Sequence, residues 1–419
     1  MIDKEKVGKT IALYRKMRGL TQKNLADMLH ISYQAVSKWE AGVSLPSVEM
    51  LYEVAVAMNV IVDSLLNDNI RDNRWISYMD TGLDTKKLYA LKREIQELVS
   101  PDEELISAQF ADATIFKIDT SGMKEPVYAS LNCVPGSKER YAREHGYDEE
   151  ICADVAANAM NFVLQHGMKP VILQAMVLCG NNGSDQLYRM AQTFQRVCVE
   201  NNVMFAGMEI AAQPVNYRQD EYRVSASLVA VQDREKLQDL SHVSKGDILI
   251  GIRTEGINGT NYPIIKVMMD RKPELAYAKI DEEHYFVEEM MKPNTAFTKE
   301  VMELQGENVL QGVFLIRNHL LNDRTYLALP EGVGACIDLR KVPILPLYRF
   351  LAEQDLIGRN VLPYHFHFGI GMMIAVKEKD CERAMEIIGK TKECWCIGRI
   401  ERNTQRNGEK VWTIGELAL

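Results

Sequence analysis

The feature that most constrains this 419-residue chain is a series of short helical segments in its first 66 residues, each marked by a capping or turn residue. Val7, Ile11 and Tyr14 fall at helical spacing, and the segment stops at Gly19. Thr21 is placed to cap Gln22 to Leu29, in which Leu25, Met28 and Leu29 share a face. His30-Ile31 makes a turn, and Ser32 caps a third helix that runs through Trp39. After Gly42 and Pro46, Ser47 caps a fourth helix, Val48 to Met58, and a fifth runs from Val62 to Leu66. Five short helices with a three- to four-residue turn between the second and third describe a helix-turn-helix domain.

Charge points the same way once the chain is segmented. Lys and Arg number 49 against 58 Asp and Glu, a net charge of -9, which excludes a uniformly basic nucleic-acid coat. Residues 1–40 nevertheless carry eight basic side chains (Lys4, Lys6, Lys9, Arg15, Lys16, Arg18, Lys23 and Lys38) against four acidic ones (Asp3, Glu5, Asp27 and Glu40). The pattern suggests a nucleic-acid-binding head on an acidic body. No apolar run approaches the roughly 20 residues of a membrane span. Eight scattered cysteines and no export signal point to reduced thiols in a cytoplasm.

Leu20-Thr21-Gln22, Leu25-Ala26, Leu29, Ile31-Ser32, Val36-Ser37, Trp39-Glu40, Gly42 and Pro46-Ser47 resemble the lambda-repressor/Cro (XRE) family over about residues 7–66. The resemblance implies that Gln22 meets a DNA phosphate and that Ser32 opens the reading helix. Tyr33, Gln34, Ser37 and Lys38 would then face the major groove of double-stranded DNA. Gln reads adenine bidentately, and Lys reads guanine or a phosphate. Ala41 stands where relatives often have Arg, so one backbone contact is in question.

After a head over 1–68 and a connector over 69–76, the body reads as two mixed α/β (α+β) subdomains, 77–242 and 243–419. Strands are expected at Val127–Leu131, Val171–Leu178, Val203–Ala206, Arg223–Val231, Asp247–Ile252, Gly334–Ile337 and Ile370–Val376. Helices are expected at Asp148–Gln165, Asp185–Glu200, Thr260–Met269, Ala296–Leu304 and Glu378–Ile388. The order of several short segments resembles the aminoimidazole ribonucleotide (AIR) synthetase family. They are Ser77-Tyr78 with Asp80 and Gly82-Leu83-Asp84, Gly207 with Glu209, the Val243–Ile250 run followed by Gly256 and Tyr262, Pro293 with Lys299, Phe366–Met372, and Trp395 with Ile397–Ile400.

That resemblance implies glycine-rich phosphate loops and carboxylates for Mg²⁺. The chain departs from it. In Ser130–Lys138 the aspartate position falls on Asn132 or Cys133, and Pro135 removes an N–H. The expected Asn-Asp pair is Asn161-Phe162, and the Thr-Gly-Gly-Gly loop falls on Asn318-His319-Leu320-Leu321. Asn258 replaces a histidine of the synthetase. Asn132, Lys138, Asn161 and Glu209 remain as ligand candidates, Lys138 and Glu209 being equally suited to scaffold ion pairs.

Four further constellations are open to a bland reading. His365 and His367 lie two apart in an expected strand, too few for a metal without a third ligand, and fit surface or interface positions. Cys394 and Cys396 fit packing. The loop Gly180–Ser184 can cradle an anion or simply join strand to helix, and the Met pairs 268-269, 290-291 and 372-373 fit core filling.

These readings give a DNA-binding transcriptional regulator, homodimeric through its body. The body would not be an enzyme, would use no metal or cofactor, and would sense a nucleotide or purine-related effector. The alternative is an active ATP-dependent enzyme of the AIR-synthetase superfamily carrying an autoregulatory DNA-binding domain.

Overall fold

The computed structural model describes residues 3–58, 60, 62–66, 83–99, 105–107, 114–180, 184–218, 220–321, 323–405 and 408–419. The expected connector 69–76, and the Ser77–Gly82 part of the opening signature, lie outside them. The chain divides into two compact units, Met1–Asp80 and Thr81–Leu419.

The first unit is helical: α1 (Lys4–Met17), α2 (Gln22–Met28), α3 (Tyr33–Glu40), α4 (Val48–Met58) and α5 (Val62–Leu66). Thr21 closes a capping box with Asn24 at the start of α2, and the Ser47 hydroxyl accepts the Met50 N–H. Ser32 occupies the N-cap of α3, but its side chain makes no capping bond. Val7, Ile11, Leu25, Ala26, Val36, Trp39, Leu51 and Val54 form one core. A methyl group at Gly8 would meet the Trp39 carbonyl at 2.2 Å, so only glycine lets α1 approach α3 this closely.

The second unit begins with α6 (Thr85–Gln96) and a two-stranded sheet of β1 (Leu105–Ser107) and β2 (Ile115–Phe116). A four-stranded sheet follows, in the order β3 (Pro126–Cys133), β6 (Tyr222–Asp233), β4 (Lys169–Cys179), β5 (Met204–Ala212). Pairing is antiparallel except between β4 and β5. Between these strands run α7 (Lys138–His145), α8 (Asp148–Leu164) and α9 (Ser184–Glu200). The inward positions of β4 and β6, such as Leu173, Ala175, Val224 and Leu228, join residues of α6, α8 and α9 in the large core.

The remaining strands form a six-stranded sheet in the order β12 (Val411–Ile414), β9 (Val333–Asp338), β11 (Cys394–Arg402), β7 (Ile248–Arg253), β10 (Ile370–Val376), β8 (Leu310–Leu315). Its neighbouring strands run antiparallel except β12 and β9. The apolar runs of β7 and β10 are buried almost throughout, which suits central strands covered on both faces. Packed around this sheet are α10 (Tyr262–Arg271), α11 (Phe286–Met291), α12 (Thr298–Gly306), α13 (Asp323–Tyr326), α14 (Pro346–Glu353) and α15 (Cys381–Gly389). Several expected ends move: Thr260 and Ala296 precede their helices, and Glu378–Asp380 is a 3₁₀ turn.

Helix α8 positions the candidate site. Twelve of its 17 residues are buried, because small alanines let it sit between the first sheet and the second subdomain. Its polar Asp154, Asn158 and Asn161 recur at helical spacing and form one seam. Among the described residues no helix is long and apolar enough to cross a membrane.

Candidate functional site

In the head, α3 splits cleanly into two faces. Val36 and Trp39 enter the core, whereas Tyr33, Gln34 and Lys38 are exposed and Ser37 is half-buried beside them. Such an unobstructed polar face suits a helix read out in a groove. Gln22 is placed differently. Its Nε2 donates to Glu40 Oε2 at 2.8 Å. Glu40 also accepts both arms of Arg15, at 2.5 and 2.9 Å, and Arg15 Nη1 donates to the Leu20 carbonyl. Burial pushes the Glu40 carboxyl up, but the bonds from Arg15 and Gln22 outweigh it and hold the group below its ordinary range. One of the eight basic charges in residues 1–40 is therefore neutralised inside the domain.

In the body, the four ligand candidates are not brought together. Asn132 is exposed on β3 and its Oδ1 accepts the Ser227 hydroxyl at 2.6 Å across to β6. Glu209 lies on β5, at the far edge of the same sheet, and pairs with Lys92 Nζ at 2.5 Å. Lys138 is fully buried. Its Nζ donates to Asp154 Oδ1 at 3.0 Å and to the Lys292 carbonyl at 2.8 Å. Asp154 also accepts the Asn294 backbone N–H and the Asn158 amide. Asn161 bridges the Thr295 carbonyl and the Phe297 N–H. Lys138, Asp154 and Asn161 thus bind α7 and α8 to segment 292–297. Asp154, the acceptor of the seam, was not singled out from the sequence. Its spacing from Asn158 and Asn161 was the available signal.

The loops expected to approach phosphates instead meet other backbone. A methyl at Gly259 would lie 2.2 Å from the Pro135 carbonyl, and one at Gly256 would lie 2.0 Å from the Lys292 carbonyl. Leu320 and Leu321 belong to the core, and the Leu320 carbonyl accepts the Tyr326 hydroxyl.

A small polar cleft remains between α8 and the turn after β8, lined in part by Asn158, Asn161, Thr254, Asn258, Asn294 and Arg317. The Arg317 guanidinium lies 4.5 Å from the centre of the Phe162 ring. No carboxylate lines this cleft among the described residues. The resemblance implies Mg²⁺ here, but hard-oxygen carboxylate ligands are what Mg²⁺ requires, and both oxygens of nearby Asp154 are engaged. The residues present do not fit that ion. On the other flank of segment 292–296 a cavity of about 470 Å³ is lined by Arg196, Glu200, Glu255, Lys292, Lys299 and Lys392 among others.

The histidine and cysteine readings also change. His365 and His367 follow a 3₁₀ turn rather than lying in a strand. His367 is not a surface group: it is 1% exposed, accepts the Gly369 N–H through Nδ1, and lies 3.1 Å from the Tyr348 hydroxyl through Nε2. Burial, helped by the positive charge of Lys138, lowers its pKa to about 3. Cys396 on β11 sits 3.3 Å from Cys381 on α15, sulfur to sulfur. Burial pushes the Cys381 thiol up to about 12. Met268, Met290, Met291, Met372 and Met373 are buried core residues. Residues 181–183 of the Gly180–Ser184 loop lie outside the described residues.

Residues 11–63 match the helix-turn-helix family HTH_3. The chain is 24% identical over 341 residues to a phosphoribosylformylglycinamidine cyclo-ligase of Finegoldia magna, covering 79% of this chain and 99% of that one. It is 26% identical over 334 residues to the corresponding protein of Streptococcus uberis, covering 79% and 97%. The body shares its fold with thiamine-monophosphate kinase from Stenotrophomonas maltophilia (TM-score 0.54, 15% identity, 78% of this chain and 97% of that one). The same holds for the hydrogenase maturation protein HypE in complex with ATP (TM-score 0.54, 12% identity, 78% and 90%). The head is therefore a helix-turn-helix domain, and the body is a two-sheet α/β unit with the fold of these kinases and of HypE. These matches correct the expectation that the body is not an enzyme. The relatives named as cyclo-ligases align over nearly their whole length, and altered metal ligands are not themselves a finding of inactivity.

Proposed function

We propose that this chain is an ATP-dependent enzyme of the cyclo-ligase type that carries a sequence-specific DNA-binding domain and regulates transcription, its own included. The observation that supports this reading is the joining, in one chain, of a helix-turn-helix match at 11–63 to cyclo-ligase similarity covering 97–99% of the relatives' length. The domain limits proposed are 1–68 for the head, 69–76 for the connector, and 77–242 and 243–419 for the subdomains. Tyr33, Gln34, Ser37 and Lys38 would read base edges. Ser32 and Gln22 would sit at the phosphates, Gln22 on condition that its amide also serves Glu40.

A homodimeric body would set the half-site spacing of a palindromic operator. A purine-related ribonucleotide bound in the body could shift DNA affinity if it bound two states unequally.

Two measurements test the reading on the purified full-length chain. Incubation with ATP and formylglycinamidine ribonucleotide should release ADP, inorganic phosphate and the cyclised imidazole product. Footprinting on its own promoter should protect two half-sites about one helical turn apart. Absence of turnover removes the enzymatic half; absence of protection at moderate salt removes the regulatory half.

A further inference from the structure

We propose that Cys381 and Cys396 are a modification site, joined in a reversible disulfide by exchange with a low-molecular-weight disulfide such as oxidised glutathione. The first support is where the eight cysteines lie. Cys133, Cys152, Cys179, Cys198 and Cys336 are buried, whereas Cys381, Cys394 and Cys396 are partly exposed. Those three lie together, on α15 and β11, packed against one apolar cluster. The second support is distance. The Cys381 and Cys396 sulfurs stand 3.3 Å apart. A disulfide bond needs about 2.0 Å, which leaves about 1.3 Å to close. The frame around them is already fixed: Ala384, Ile387 and Ile388 of α15 share a core with Ile248, Ile250 and Ile252 of β7, the strand beside β11.

Two neighbouring chemistries fit less well. Cys394 and Cys396 share a face of β11, two strand steps or about 6.8 Å apart, whereas the Cβ atoms of a disulfide lie about 3.5–4.5 Å apart. Among the described residues no group of three His, Cys, Asp or Glu side chains is arranged to hold a metal ion. The pair also divides the chemistry. Cys381 is the thiol that stays protonated: burial first, then the hydrogen bond with Cys396 and its charge, push it up to about 12. Cys396 is therefore the attacking sulfur. Its thiolate bonds to one sulfur of oxidised glutathione and releases the other half, which takes up a proton as free glutathione. Cys381 then loses its proton to solvent, attacks the Cys396 sulfur and displaces the second glutathione, which is protonated in turn. Two protein thiols give up two electrons and two protons, and oxidised glutathione receives them as two thiols.

The test is incubation of the folded full-length protein with oxidised glutathione, followed by alkylation of free thiols, intact mass and peptide mapping. Peroxide is avoided because the Met385 thioether, 3.4 Å from Cys396, would also react. One bond between Cys381 and Cys396 should form, with the loss of two hydrogen atoms per chain, and dithiothreitol should reverse it. Closure should quicken by about tenfold per pH unit, since Cys381 must ionise to attack. Cys381→Ser should stop at the mixed disulfide on Cys396, Cys396→Ser should form no internal bond, and Cys394→Ser should behave as the parent. The urea midpoint of the body should rise on oxidation in the parent and in Cys394→Ser only, because a closed loop restricts the unfolded chain. A parent that stays fully reduced, a bond involving Cys394 or a second chain, or a bond that forms only in urea would overturn the proposal.

Discussion

The head and the body each contain a cation and a carboxylate paired out of water, and the two pairs serve different ends. In the head, Arg15 and Glu40 join α1 to α3 from the inner side, and Gln22 of α2 completes the knot. The outer face of α3 is left bare. In the body, Lys138 and Asp154 face inward from α7 and α8 and tie both to segment 292–294. There the polar seam occupies groups that would otherwise meet a ligand. Where the polar interior holds the frame, as in the head, the surface of α3 stays available; in the body the seam instead closes the space between α8 and segment 292–297.

The contrast is sharpest in stability. Lys138→Met should leave the Asp154 charge buried without its partner and cost about 3–5 kcal/mol, read as a fall in the urea midpoint of the body. Adding Asp154→Leu should recover much of that loss. A single variant as stable as the parent would break the comparison. The head pair is nearer solvent and keeps Gln22 on Glu40, so Arg15→Leu should cost less, about 1–3 kcal/mol, in the unfolding of the first unit.

On the bare face, Gln34→Ala with Lys38→Ala should lower operator affinity by roughly tenfold to a hundredfold while the body unfolds as before. Binding retained in full would mean that α3 is not the reading helix. The smallest effect concerns His367, held neutral by burial with a pKa of about 3 against an ordinary 6.5. The unfolded chain takes up this proton first, so the contribution is fully present above pH 6.5 and is lost as pH falls toward 3. His367→Gln should flatten the body's stability profile across that window. A slope identical to the parent's would exclude His367 as a contributor.

Much of the frame was legible because its signals are local. Thr21 caps α2 through Asn24, Val36 and Trp39 turn inward, and the alternation in Arg223–Val231 becomes β6. The third helix's cap was less so: Ser32 occupies the position without making the bond, because residue type does not set a rotamer. The site was least legible. Asn132, Lys138, Asn161 and Glu209 were grouped by motif, yet they lie on a sheet face, in a buried seam and on an opposite edge.

Sequence alone determined the two-part organisation, the five head helices, the exposed side of α3 and the fold class of the body, since capping, periodicity and charge segregation act over a few residues. Tertiary structure decided which polar groups are spent and which are free. Gln22 meets Glu40 across 18 residues, Lys138 meets the Lys292 carbonyl across 154, and Arg317, in the turn after β8, finds Phe162 on α8. Such partners become neighbours only when the chain has closed, because a buried charge or amide takes whichever complementary group the packing delivers.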